Sequence, residues 1–171
     1  MTNLFVYQVD KIDNNLYLIG EINTQSVNEI HQYIHKAEKD SNITSINFYV
    51  TSDGGHTSEG LKLYDIFQNT RLNITIYVTG FVASAATFLL FSKHKVVMYK
   101  NAALSFHELY HWSDNKFSNC KTRIDYSEKL MDKLVAIYQS KSKEITREWL
   151  VTDKYLDANE ALGMKIVEEI K

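Results

Sequence analysis

Residues 74–87 read Ile74-Thr75-Ile76-Tyr77-Val78-Thr79-Gly80-Phe81-Val82-Ala83-Ser84-Ala85-Ala86-Thr87. The apolar run 74–79 predicts a buried strand, and the small residues after it predict a turn into a helix reaching about Ser92. A serine at such a junction is ordinarily an N-cap. Here the alanines on both sides leave open space around its Oγ. First-turn N–H groups and the helix dipole also favour negative charge developing there. A nucleophile needs that access together with a base and a stabilised oxyanion, so Ser84 is a candidate nucleophile.

The strand–helix alternation extends in both directions. Leu16 to Ile19 reads as a short strand closed by Gly20, and Ser26 to Lys39 carries Val27, Ile30, Ile34 and Ala37 at helical spacing. Ser45 to Val50 predicts a second strand ending in Thr51-Ser52-Asp53-Gly54-Gly55. A helix follows over Ser58 to Asn69, with Leu61, Tyr64, Ile66 and Phe67 for its buried side. Downstream, one extended segment is expected from Val96 to Phe106. A long helix over Asn119 to Lys141 carries Leu130, Leu134 and Ile137 on one stripe. The last helix is capped by Asp157, with Glu160 completing a capping box. This order predicts a single α/β domain over 1–171, with a largely parallel sheet and right-handed crossovers. Sites in such sheets gather beyond the C-terminal ends of strands, where Gly54-Gly55 and Ser84 both fall.

Composition narrows the function classes. A chain of 171 residues can bury a substantial core without disulfides or metals. A formal charge of −2 gives no electrostatic case for nucleic acid or an anionic membrane. The single cysteine, Cys120, cannot pair internally and reads as an ordinary thiol on a helix, as expected of a cytoplasmic protein. No secretory signal is visible, and the apolar stretch Val82 to Phe91 is too short to span a bilayer. Proline is absent, and Gly54, Gly55 and Gly80 are three of only six glycines.

Four segments together resemble the ClpP-type serine peptidases, the proteolytic subunit family of the Clp protease. Gly80-Phe81-Val82-Ala83-Ser84-Ala85-Ala86 is similar to the family's nucleophile segment, Gly-Gln-Ala-Ala-Ser-Met-Gly. Asn101-Ala102-Ala103-Leu104-Ser105-Phe106-His107 resembles the strand bearing the family's histidine. Asp153-Lys154-Tyr155-Leu156-Asp157-Ala158-Asn159-Glu160-Ala161 resembles the segment whose first aspartate completes the triad. Thr51-Ser52-Asp53-Gly54-Gly55-His56 resembles the family's Ser-Pro-Gly-Gly-Ser turn. Any one motif alone is weak, whereas four in the correct order cover roughly Leu16 to Ile170.

The resemblance implies a ClpP/crotonase-like spiral of β-α-β units with a protruding handle helix, around Asp125 to Ser142. It implies that Ser84 attacks the scissile carbonyl, that His107 carries the proton, and that Asp153 holds the imidazole. The backbone N–H groups of Gly55 and Ala85 would form the oxyanion hole. Ala85 in place of the family's methionine keeps its N–H; Asp53 in place of a proline changes the rigidity of the turn. Peptide or unfolded protein is the implied substrate, and a heptameric ring or stacked pair of rings the implied assembly. No phosphate-binding motif is present, so ATP use would belong to a separate AAA+ unfoldase. No resident cofactor or metal is implied.

Other readings compete for the same residues. His107-Glu108-Leu109-Tyr110-His111 is literally H-E-x-x-H, a zinc-peptidase pattern when it lies on a helix. The extended residues before it and the turn-like Trp112-Ser113-Asp114-Asn115 after it argue against that helix. His31 and His35 share a helix face without an obvious third ligand, and His56 reads as a loop residue. Crotonase-like acyl-CoA enzymes use paired N–H groups without needing a triad, and a non-catalytic ring or scaffold subunit would ordinarily have lost a member of it. The chain departs from the family after His107, where Gln-Pro and a glycine-bearing strand are replaced. That departure bears on peptide preference and ring stacking. Only Met1 to Asn15 precedes the first expected strand, shorter than the family's segment that engages the unfoldase.

Overall fold

The computed structural model describes residues 7–109 and 117–171. In chain order it comprises β1 (Tyr7–Ile12), β2 (Asn15–Gly20), α1 (Thr24–Lys39), β3 (Ser45–Ser52), α2 (Thr57–Asn69) and β4 (Asn73–Ala83). A 3₁₀ helix (Ser84–Phe91), β5 (Lys95–Met98), β6 (Ala103–Phe106) and α3 (Phe117–Gln139) follow. The chain closes with α4 (Arg147–Leu150), β7 (Lys154–Leu156), α5 (Ala158–Gly163) and β8 (Glu169–Ile170). The sheet runs β1-β2-β3-β4-β5-β8, with β6 beside the far half of β4 and β7 beside β6. Pairing is parallel from β2 through β5 to β8, and antiparallel at β1–β2 and β6–β7. The expected mixed α/β class with a largely parallel sheet is therefore observed.

Strand β4 organises the fold because it serves two neighbours on one edge. Thr75–Val78 pair with β5, and Phe81–Ala83 pair with β6. The segment expected as one extended piece from Val96 to Phe106 is thus two strands. The Ala102 N–H donates back to the Tyr99 carbonyl at 2.9 Å, closing a tight turn between them. The register with β3 shifts at the same level, between Val50 and Ser52.

Local chemistry explains the other departures from expectation. Strand β1 was not foreseen; Asp13, at φ +53°, makes the tight reversal that joins it to β2, a conformation aspartate tolerates. Helix α1 starts at Thr24 because the Asn23 side chain accepts the N–H groups of Gln25 and Ser26, while Ser26 Oγ accepts the Asn23 N–H. Helix α2 buries Phe67 as expected, together with Gly60 and Leu63, and Leu61, Tyr64 and Ile66 pack half-buried against the core beside them. The capping box on α5 is as expected, Asp157 accepting from Asn159 and Glu160 and Glu160 accepting in return. Cys120 falls within α3.

The 3₁₀ helix buries every residue from Ala85 to Phe91, so it is apolar all round and belongs to the core. Hydroxyls at Thr87 and Ser92 donate to the carbonyls three residues back, at 2.6 and 2.7 Å, matching its three-residue turn. Against it lies an aromatic cluster in which Tyr138 meets Phe88, Phe91 and Phe106 at centroid distances of 5.9, 4.9 and 5.6 Å. The C-terminal half of α3 joins this core through Leu134, Ile137 and Tyr138, while Ile124 and Tyr126 are exposed. Among the described residues no helix is long and apolar enough to cross a membrane.

His94 was not singled out from the sequence and is a structural histidine. Its Nδ1 accepts the Ile74 N–H at 3.3 Å and its Nε2–H donates to the Phe67 carbonyl at 2.8 Å, as the neutral ring requires. Burial holds its pKa below the ordinary histidine value, and the nearby cations Lys93 and Lys141 push the same way. The unfolded chain therefore takes up a proton that the folded chain refuses. This contribution to stability is complete above about pH 6.5 and is lost as pH falls toward the folded-state value. The urea midpoint of the wild type should drop between pH 7.5 and 5.5 more steeply than that of His94→Gln. Parallel pH dependences would contradict the assignment.

Candidate active site

Three parallel strands end side by side, and their last residues bring the candidate site together. Ser52 of β3 pairs with Val82 of β4, and Ala83 of β4 pairs with Ser105 of β6. The chain leaves these ends as Asp53-Gly54-Gly55, as Ser84 and as His107. Strand β7 runs antiparallel to β6 with Phe106 opposite Lys154. His107 follows β6 and Asp153 precedes β7, so the antiparallel pairing puts both at the same end of that ladder, beyond its last pair. Residues distant in sequence meet here because parallel sheet topology aligns carboxyl ends.

Ser84 is not the N-cap that a serine at a helix start ordinarily is. The cap position belongs to Ala83, which makes no side-chain capping bond. Ser84 instead has φ +53°, in the left-handed region that costs a non-glycine residue about 1 kcal/mol or more. The sharp change of direction from strand to helix leaves its side chain half-exposed while its neighbours Ala83 and Ala85 are buried.

The glycine turn lies flush against this bend. Gly54 has φ +100°, and a Cβ there would stand 2.6 Å from Ser84 Cβ and 2.8 Å from the Ala83 carbonyl oxygen. Only a residue with no side chain allows that approach. The turn is held from outside by Ile22, whose N–H donates to the Gly54 carbonyl at 2.7 Å and whose carbonyl accepts from His56 N–H at 2.8 Å. Those two bonds flank Gly55 and leave its own N–H outside the bridge. Ala85, second in the 3₁₀ helix, is among the residues whose N–H groups have no partner within the helix.

Ser84, His107 and Gly55 line one cavity of about 140 Å³ with Thr57, Phe88, Leu134 and Tyr138. His107 is half-buried, and its Nδ1 lies 2.6 Å from the Glu108 carbonyl oxygen. A carbonyl only accepts, so Nδ1 is the nitrogen that carries a proton in this contact. Asp153 is exposed and is not part of the cavity lining. Hollows on either flank share residues with the cavity. One of about 260 Å³ shares Glu108 and Leu109 and continues along Ile124 and Met131; the other, about 360 Å³, shares Gly55 and is edged by Glu21 and Asp53. The cavity at Ser84 is thus bordered by further hollows on two sides, the second edged by carboxylates. A larger hollow of about 430 Å³ between α1 and α2 contains none of these residues.

The remaining sequence candidates lie elsewhere. His107 to Leu109 follows β6 outside any helix, so the first half of the H-E-x-x-H pattern lacks the helical geometry zinc ligation requires; His111 and residues 112–115 lie outside the described residues. His31 and His35 are exposed on α1, and His56 caps the start of α2. Thr57, Phe88, Leu134 and Tyr138 were not identified from the sequence as site residues. Thr87 and Tyr138 meet hydroxyl to hydroxyl at 2.9 Å behind Ser84, across 51 residues of chain, for which no sequence signal exists. A protein-family model described as Clp protease matches residues 6–171.

Proposed function

The chain belongs to the Clp protease family, and from that premise we propose that it is a serine endopeptidase acting on peptides or unfolded protein. One observation carries the reading: Ser84, in the left-handed conformation at the end of β4, lines a single cavity with His107 and Gly55. Ser84 Oγ attacks the scissile carbonyl carbon while its proton passes to Nε2 of His107. The carbonyl oxygen takes the charge between the N–H groups of Gly55 and Ala85. Collapse breaks the C–N bond, His107 protonates the leaving amine, and water resolves the acyl-enzyme by the same steps. Asp153 stabilises the transient imidazolium; its place just before β7, at the end of the ladder where His107 follows β6, supports that role. Hollows bordering the cavity on two sides support a substrate that extends beyond the scissile bond, as a peptide does.

The proposal includes a cytoplasmic homo-oligomeric ring, heptameric or two stacked heptamers, with unfolding left to a separate AAA+ ATPase. Exposed Ile124 and Tyr126 on α3 support it, as apolar surface that a second copy would bury. A monomer throughout sedimentation at micromolar concentration would rule out the ring.

Intact-mass spectrometry after incubation with a fluorophosphonate tests the chemistry. The wild type should gain one adduct and Ser84→Ala none, with no effect of a chelator. A wild type that stays unlabelled, or a Ser84→Ala variant that labels equally, would overturn the reading.

A further inference from the structure

We propose that Tyr138 and Thr87 are positioning residues, a hydroxyl relay by which α3 fixes the backbone of Ser84; the inference rests on the serine-peptidase reading above. Ser84 occupies a conformation that costs free energy, so the surroundings must hold it there. Its carbonyl accepts the Thr87 hydroxyl at 2.6 Å. A threonine has one hydroxyl proton, and that proton is committed to Ser84. The 2.9 Å contact between Thr87 Oγ1 and the Tyr138 hydroxyl therefore has Tyr138 as donor. Thr87 is wholly buried and Tyr138 nearly so, leaving no water to compete for either bond.

A threonine bonding a carbonyl three residues back is common in helices. The added element is the second hydroxyl from a distant helix, which polarises the first and restricts its rotation. Burial raises the Tyr138 hydroxyl well above the ordinary tyrosine pKa, so it remains a donor at any working pH. Its ring is fixed by Phe88, which lines the cavity, and by Phe106, which immediately precedes His107. One side chain thereby supports the backbone on both sides of the proposed proton transfer without itself entering it.

Full-length Tyr138→Phe keeps the ring and removes only the donor; Thr87→Val removes the relay, and Thr87→Ser preserves it. Fluorophosphonate labelling rates, and kcat and KM on a fluorogenic peptide, are measured together with the folded fraction by circular dichroism. Tyr138→Phe and Thr87→Val should each lower the labelling rate and kcat about tenfold with KM nearly unchanged, the loss expected of one buried hydrogen bond in a positioned site. Thr87→Ser should behave as wild type, and the double variant should be no worse than Thr87→Val. Wild-type labelling by Tyr138→Phe, or losses that merely track the folded fraction, would overturn the relay alone. An unlabelled wild type would overturn the peptidase reading and the relay with it.

Discussion

Replacing His107 by alanine is expected to lower kcat for peptide hydrolysis by roughly 10⁵-fold, with KM changed little. The imidazole is the group that would receive the Ser84 proton, and removing it leaves a hydroxyl with no base. Folding should survive, because His107 is only half-buried and lies beyond the end of β6. Asp153→Asn should cost less, about 10²- to 10³-fold, below the 10⁴-fold typical where a carboxylate alone sets the tautomer. The Glu108 carbonyl, 2.6 Å from Nδ1, already holds the ring by that nitrogen. What Asp153 adds is a negative charge to stabilise the imidazolium. Single-turnover kinetics on both variants decide the matter. Turnover within tenfold of wild type in His107→Ala would remove it from the triad, and an unaffected Asp153→Asn would leave the main-chain carbonyl as the orienting group.

Gly54→Ala is expected to damage both the fold and the candidate nucleophile. The new Cβ would collide with Ser84 Cβ and with the Ala83 carbonyl, neither of which is the movable end of a long side chain. The φ of +100° adds strain independent of space. Together these should destabilise the protein by about 2–4 kcal/mol and, in molecules that still fold, displace the nucleophile enough to lose at least about 100-fold in activity. Gly163→Ala is the control, since a Cβ there meets nothing within 4 Å, and it should be neutral. Urea unfolding combined with fluorophosphonate labelling reads both effects. A Gly54→Ala protein with the wild-type midpoint and labelling rate would show that the turn does not constrain Ser84.

Much of this arrangement was legible in the sequence for identifiable reasons. The β3 and β4 strands and the α1 and α3 helices announce themselves because a buried face imposes a periodicity of two or 3.6 on residues close in the chain. Asp157 and Glu160 were readable as a cap because both partners lie within three residues. The candidates Ser84, His107, Asp153 and Gly55 could be named because each sits where an apolar run stops, within a segment resembling a family motif. The inward face of α2 was legible through Leu61, Tyr64, Ile66 and Phe67; that Gly60 and Leu63 lie at its centre was not, because packing against the 3₁₀ helix decides it. The division of Val96 to Phe106 into β5 and β6 was hidden because both pieces are apolar, and only β4, serving both on one edge, separates them.

By itself, then, the sequence determined the α/β class and the central strand–helix alternation, and its resemblance to a family named the candidate nucleophile, base and carboxylate. The class and the alternation follow from local periodicity and capping, interactions that neighbours in the chain supply; the candidates follow from short motifs that resemble the family's. Tertiary structure alone decided that Ser84 adopts φ +53° and is no cap, that Gly54 must lack a side chain because Ser84 lies against it, and that His107 shares a cavity with Ser84. It also decided that a tyrosine 54 residues beyond Ser84 reaches its carbonyl through Thr87. The physical reason is the same in each case: contact geometry across distant segments arises from sheet register and core packing, and neither leaves a local mark on the chain.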